Sequence, residues 1–245
     1  MDYLLVAVIG LIIGAIINYF ADVLPSSPGL THPTCPECQT KFSLKDYLLR
    51  YQCSQCGAGL SLRHPLVLIC SAAISILVRI YPPALLSYWA TLPILLLLGT
   101  IFVIDLEHHA ILVKTTAVGF VLFLIYGVLL FGWKKALLGA LGGLAITLFF
   151  YFLGIAVSKV VGLIRHKNIS EVAFGLGDVT AATILGFLVG WPSIVGVIVI
   201  AIVSFAVVSF VTLMVLILTK KYSAFANALP FAPFLILGVV IIYYL

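Results

Sequence analysis

Leu92-Pro93-Ile94-Leu95-Leu96-Leu97-Leu98-Gly99-Thr100-Ile101-Phe102-Val103-Ile104 is a charge-free run, and Asp105 closes it. A second aspartate opens such a run: Phe174-Gly175-Leu176-Gly177-Asp178 leads directly into 181–189. Runs of this kind read as helices crossing a bilayer, and the chain repeats them throughout its length. The chain has only 8 acidic residues among 245, so two at the mouths of apolar helices stand out. An ionisable group at membrane depth is costly to keep and marks function by default.

Working outward, hydrophobic residues make up 64% of the chain and charged residues 9%. A soluble domain has about half and about a quarter. One globular core cannot hide so much apolar surface. Apolar stretches fall at roughly 3–24, 64–80, 86–104, 112–131, 136–158, 177–190, 192–218 and 227–245. They predict an all-α polytopic membrane protein of about eight transmembrane helices. The shortest stretches need flanking residues to span. The first reads as a retained helix rather than a cleaved leader: no basic region precedes it, and Asn18 and Asp22 occupy its inner end.

Lysine and arginine set the orientation. With 25–63 inside, the inner segments hold Lys41, Lys45, Arg50, Arg63, Lys114, Lys159, Arg165, Lys167, Lys220 and Lys221. The outer segments hold Arg79, Lys134 and Lys135. Both termini are then outside and the 25–63 loop is cytoplasmic. The same bias accounts for the net charge of +5 without a nucleic-acid partner. The expected parts are a first transmembrane helix (1–24), a cytoplasmic cysteine loop (25–63) and a membrane core of about seven helices (64–245).

The loop between helices 1 and 2 carries Cys35-Pro36-Glu37-Cys38 and Cys53-Ser54-Gln55-Cys56, with 14 residues between the pairs. Two such knuckles can place four thiolates tetrahedrally around Zn²⁺. Two disulfides are the competing arrangement, disfavoured in a cytoplasmic loop. Four cysteine ligands close the shell, so the metal is structural. His32 and His64 flank the loop, but four cysteines already suffice. Cys70, alone in an apolar run, reads as a small core residue. Asn18, in Gly14-Ala15-Ile16-Ile17-Asn18, reads as a hydrogen bond across closely packed helices or as a contact to substrate.

Asp105 and Asp178 fall on the same, cytoplasmic side. Two carboxylates about 3 Å apart cannot both ionise comfortably. One can then act as a base toward water while the other, protonated, polarises a carbonyl. Gly175 and Gly177 let a backbone turn sharply and let an extended substrate approach. The competing reading is that each aspartate caps a helix. It suits Asp178 better than Asp105, which follows its run. Glu107, His108 and His109 crowd beside Asp105. They read as a solvated face, with Glu107 the first choice as a contributor to the site.

Taken together, these residues resemble the type IV prepilin peptidase family, membrane aspartyl proteases of the GxGD type. The likeness runs nearly end to end. Gly14-Ala15-Ile16-Ile17-Asn18 is similar to the family's Gly-Ser-Phe-Leu-Asn. The doubled cysteine knuckle follows, then Leu60-Ser61-Leu62-Arg63-His64-Pro65-Leu66-Val67. Ile104-Asp105 and Gly175-Leu176-Gly177-Asp178-Val179 match the two catalytic contexts, and Leu229-Pro230-Phe231-Ala232-Pro233-Phe234 resembles Pro-Phe-Gly-Pro-Phe. The resemblance implies removal of the short basic leader from prepilins or pseudopilins at the cytoplasmic face of a bacterial inner membrane. Asp105 and Asp178 would be catalytic, and Cys35, Cys38, Cys53 and Cys56 would hold metal. The partners implied are the substrate's apolar helix and membrane lipid.

Many members also methylate the new N-terminus with S-adenosylmethionine. Here Leu66-Val67-Leu68-Ile69 stands where the family carries a glutamate tied to that step. Ile111-Leu112-Val113-Lys114 replaces the family's Leu-Pro-Asp or Ile-Pro-Asp, and Asp22-Val23-Leu24-Pro25 lacks an arginine that often precedes Leu-Pro. None of the three is required by proteolysis itself. Two other classes stand beside this reading: a GxGD protease with a different substrate, and a non-catalytic membrane scaffold braced by the metal loop. A transporter fits less well, because no internal repeat is evident.

Overall fold

A computed structural model describes residues 3–26, 29, 31–35, 37–43, 46–47, 52–165, 175–219 and 229–245. Phe174 and five of the cations counted for orientation (Lys45, Arg50, Lys167, Lys220 and Lys221) lie outside the described residues. Among the described residues eight helices follow in order: α1 Tyr3–Ser26, α2 Arg63–Ile80, α3 Tyr88–His108, α4 Val113–Phe131, α5 Trp133–Arg165, α6 Leu176–Val189, α7 Ser193–Leu218 and α8 Ala232–Tyr244. Each coincides with an apolar stretch of the sequence. In hydrocarbon only a helix satisfies every backbone group within its own segment, so each long apolar run has one local solution.

Six helices are long and apolar enough to cross a membrane, and the chain is a multi-pass membrane protein. The remaining two, α6 and α8, are shorter, at 14 and 13 residues. They rise only about 20 Å, against a hydrocarbon core of about 30 Å. The bounds of α3, α5 and α8 differ most from expectation, α3 running on past 104 to His108. Helix α5 extends in both directions beyond 136–158, and α8 starts at Ala232 rather than at 227. Residues 229–230 are non-helical, and Pro233 takes the second helical position, where its missing N–H costs nothing.

The chain divides into two compact units, Met1–Ile104 and Asp105–Leu245. In the first, α1 and α2 lie against each other through small residues. A Cβ on Gly10 would stand 2.6 Å from Ala72 Cα, and one on Gly14 would stand 3.0 Å from Leu68 Cα. Ser75 donates to the Val6 carbonyl (3.1 Å) and meets the Tyr88 hydroxyl (2.9 Å). Cys70 is exposed on α2 rather than in the core. As an apolar side chain it suits lipid as well as protein, so apolarity alone could not place it.

In the second unit α6 is the centre. Nine of its residues are buried, and it touches α4, α5, α7 and α8. A helix apolar on every side belongs inside. Backbones approach here because side chains are missing. A Cβ on Gly127 would stand 2.0 Å from the Phe187 carbonyl oxygen, and one on Gly139 would stand 2.3 Å from that of Gly186. The reverse contact, Gly186 against the Gly139 carbonyl, is equally tight.

Candidate active site and cysteine cluster

Asp105 lies in the last turn of α3, only 4% exposed. Its Oδ2 accepts the backbone N–H of Ala232 at 3.2 Å. Ala232 opens α8, so this N–H is one of the orphan donors of a helix N-terminus. A carboxylate satisfies it and meets the positive end of the helix dipole. The proline-flanked turn before α8 is what points that donor at Asp105. Sequence reading noted the motif but gave it no role. The two prolines, one just before α8 and one at its second position, were the available signal.

Asp178 is half-buried in the first turn of α6. Its Oδ2 accepts the Gly175 N–H at 3.1 Å, while its own N–H bonds the Gly175 carbonyl, also at 3.1 Å. The carboxylate therefore reaches back to cap its own helix, as the competing reading held. One oxygen is engaged by the cap. The neighbouring Gly177 packs against Ile111, six residues past Asp105, which brings the two acids to one end of the second unit.

Gly175 has φ −87° and ψ 153°, extended backbone that any residue adopts. A sharp turn is therefore not why glycine stands there. Gly175 is exposed and leaves the face of Asp178 open. At Gly177 the reason is packing: a Cβ would stand 3.2 Å from Ile111 Cβ, in the link between α3 and α4. Ile111, one of the residues departing from the family pattern, thus walls the site. Glu107 is exposed two positions past Asp105, and side chains two apart on a helix do not face each other. His109 stays beside Asp105 where the helix ends. It adopts φ +49°, and its N–H bonds the Asp105 carbonyl at 3.0 Å.

The four loop cysteines come together. Their sulfurs all lie within 4.8 Å of one another, with Cys35–Cys56 and Cys38–Cys53 at 3.6 Å. None is disulfide-bonded. A tetrahedral tetrathiolate site with bonds of about 2.3 Å holds its sulfurs about 3.8 Å apart, so the cluster fits a metal ion. The two knuckles share one backbone design. The Cys35 N–H bonds the Thr40 carbonyl (2.9 Å), and the Cys53 N–H bonds that of Ala58 (2.8 Å). Gln39 (φ +56°) and Gly57 (φ +70°) make the same left-handed turn in each. The Thr40 hydroxyl holds the Cys38 thiol down to about 6. Against the Ala58 backbone hydrogen bond, desolvation and the crowding Cys38 and Cys35 thiols push Cys56 up to about 12. Four thiols this close cannot all ionise without a cation among them.

Asn18 is buried, and its Nδ2 donates across to the His64 carbonyl of α2 at 3.0 Å. His64 joins a network that the sequence did not reveal. Its Nε2 lies 3.0 Å from Asp22 Oδ2, and Asp22 also pairs with Arg63 and accepts the Tyr47 hydroxyl. Tyr47 packs with Phe42 against Cys35 and Cys53. Burial and the Asp22 carboxylate push its hydroxyl above the usual range. The knuckles are thereby moored to α1 and α2 of the first unit.

Comparison with known proteins agrees with this arrangement. Residues 92–210, holding both aspartates, match the model of the type IV leader peptidase family. Residues 8–81, holding the cysteine loop, match that of the bacterial peptidase A24 N-terminal domain. A prepilin leader peptidase/N-methyltransferase of Myxococcus xanthus (strain DK1622) is 26% identical over 218 residues, 84% of this chain and 62% of the relative. The chain thus spans less than two thirds of that relative's length. No solved structure matches. Family models thus cover both the helices bearing the aspartates and the helix pair bearing the cysteine loop, in the order and at the positions where the fold places them: the chain belongs to the type IV leader peptidase family.

Proposed function

We propose that this chain is an intramembrane aspartyl endopeptidase that removes the basic leader of type IV prepilins or pseudopilins. One observation carries the reading. Two carboxylates that begin and end different helices come to one end of the second unit, one buried and held by a helix N-terminus, the other half-buried beside an exposed glycine. In the reaction one carboxylate takes a proton from water. The hydroxide equivalent adds to the scissile carbonyl carbon, and the protonated partner gives its proton to the carbonyl oxygen. Collapse of the diol breaks the C–N bond as the amine is protonated. The titration belongs to the pair rather than to either residue.

The remaining assignments follow the same reading. Gly175 keeps the approach open, and Gly177 keeps Ile111 close. Asn18 supports the site by tying α1 to α2, and Glu107 offers an interfacial charge for the leader rather than a group on the dyad. Cys35, Cys38, Cys53 and Cys56 hold a structural Zn²⁺, which supplies folding energy to the loop and no catalytic position. The parts are 1–24, 25–63 and 64–245, with the loop cytoplasmic and both termini outside, in a bacterial inner membrane. S-adenosylmethionine is implied by the family resemblance, and the Myxococcus relative is a prepilin leader peptidase/N-methyltransferase. Peptide cleavage is assigned here without methyl transfer.

The test is to incubate the purified protein in lipid vesicles with a prepilin and to weigh the product by mass spectrometry, with and without S-adenosylmethionine. Loss of the leader in both, unmethylated, is the expected result. Cleavage retained at the wild-type rate in Asp105→Asn or Asp178→Asn would overturn the mechanism, and an added methyl group would overturn its restriction to proteolysis.

A further inference from the structure

Tyr47 lies in the linker between the two cysteine knuckles, and its ring depends on both. It packs with Phe42 against Cys35 of the first knuckle and Cys53 of the second. The Phe42 and Tyr47 rings meet edge to face, centroids 6.0 Å apart. Each knuckle closes on itself, Cys35 N–H to the Thr40 carbonyl and Cys53 N–H to that of Ala58. Neither bond joins one knuckle to the other. A metal held by all four thiolates does, because it takes two ligands from each knuckle.

The other end of Tyr47 reaches the helices. Its hydroxyl donates to Asp22 of α1, and the same carboxylate pairs with Arg63 and with His64 Nε2 in the first turn of α2. The His64 ring stands edge-on to that of Tyr47, centroids 5.6 Å apart. Asn18, one turn before Asp22 and so on the same face of α1, donates to the His64 carbonyl at 3.0 Å. Tyr19 of α1 packs on the cysteine core, and its hydroxyl donates to the Thr31 carbonyl at 3.0 Å. His64 is only 3% exposed, so water cannot replace the partners it has here. One side chain thus touches metal-binding cysteines with its ring and the junction of α1 with α2 through its hydroxyl.

We propose that Tyr47 couples metal occupancy of the cysteine cluster to the seating of α2 on α1, so that the cluster is a metal-responsive latch on the first unit. This coupling rests on the reading of the four cysteines as a zinc site. With metal bound, the knuckles are held together, the Tyr47 ring is fixed between them, and its hydroxyl completes the donors around Asp22. Without metal the ring loses its seat, the partly buried carboxylate gives up a donor, and the start of α2 loosens. Linkage makes the effect reciprocal: the contact that lets metal tighten the helix junction also tightens metal binding. Tyr47 is a positioning residue, since it is not among the four thiol ligands.

The test uses the full chain in detergent micelles and the variant Tyr47→Phe, which keeps the ring and removes only the hydroxyl. Amide exchange is followed over 61–70, and zinc affinity is read by competition with a metallochromic chelator. In the wild type, stripping zinc is expected to speed exchange over 61–70. In Tyr47→Phe that segment is expected to exchange fast with or without zinc, and zinc is expected to bind about tenfold more weakly, the usual scale for a group that supports metal ligands from outside. Unchanged exchange on stripping wild-type zinc would overturn the coupling and leave the metal site standing. Wild-type zinc response or wild-type zinc affinity in Tyr47→Phe would overturn the part given to Tyr47. A wild-type protein that binds no zinc would overturn both the metal reading and the latch.

Discussion

Asp105 offers a substitution pair in which chemistry and architecture come apart. Asparagine at 105 keeps an oxygen acceptor for the Ala232 N–H, now 3.2 Å from the carboxylate. Alanine removes it. Ala232 is 1% exposed, so water cannot replace the lost partner. A buried N–H left without an acceptor costs about 1–3 kcal/mol, while the neutral amide acceptor forfeits only the charge-assisted part of the bond. Asp105→Ala should therefore be less stable than Asp105→Asn by about 1–3 kcal/mol. Both should lose cleavage by at least about 100- to 10,000-fold, the usual size of a general acid–base contribution. Stability is read from thermal unfolding in one lipid or detergent, and cleavage from leader release by mass spectrometry. Equal stability of the two variants would refute the role given to Ala232. Wild-type cleavage in Asp105→Asn would refute the role of the carboxylate.

Other outcomes follow from the same structure. Gly186→Ala places a Cβ 2.3 Å from the Gly139 carbonyl oxygen, so it should destabilise by at least about 1–3 kcal/mol, visible as a lower Tm. A silent Gly186→Ala would mean that α5 and α6 do not approach so closely. Chelation, or Cys38→Ser, should release one equivalent of zinc measurable by a metallochromic dye and open 31–59 to protease. Loss of metal with unchanged proteolysis would separate the cluster from loop folding. Arg63→Met leaves Asp22 short of one partner and should cost about 1–3 kcal/mol. The double change Arg63→Met/Asp22→Leu should cost less than the sum of the two single changes, and strict additivity in the cycle would deny the pairing. A maleimide dissolved in lipid should label Cys70 faster than the metal-loaded loop cysteines, and the reverse order would place Cys70 inside.

The eight helices were legible because lipid leaves an apolar segment a local solution: the backbone bonds to itself within the run. The cysteine cluster was legible for the same reason, since each knuckle closes within six residues through its own turn, as Cys35 N–H to Thr40 shows. Asp105 and Asp178 stand out in the sequence by type and place, acids where acids are costly. Other features were not legible there. The sequence favours Glu107, which is exposed in the structure, and gives no sign of the chain reversal that keeps His109 beside Asp105. Of the two reasons the sequence offers for glycine at 175 and 177, turning does not hold at the extended Gly175, its exposure leaves room for approach, and Gly177 stands close to Ile111.

The sequence by itself determined class, span positions, the two cysteine knuckles and the placing of two acids at helix ends, because each rests on residues near one another in the chain. Only the tertiary structure decided which groups meet. The Ala232 amide lies 127 residues from the carboxylate it holds, and His64 lies 42 from Asp22. Helices that are apolar on nearly every side carry no stripe to declare which face turns inward. Their rotation is settled by close packing at glycines and by the few polar groups that must find partners, and both are properties of the assembled bundle.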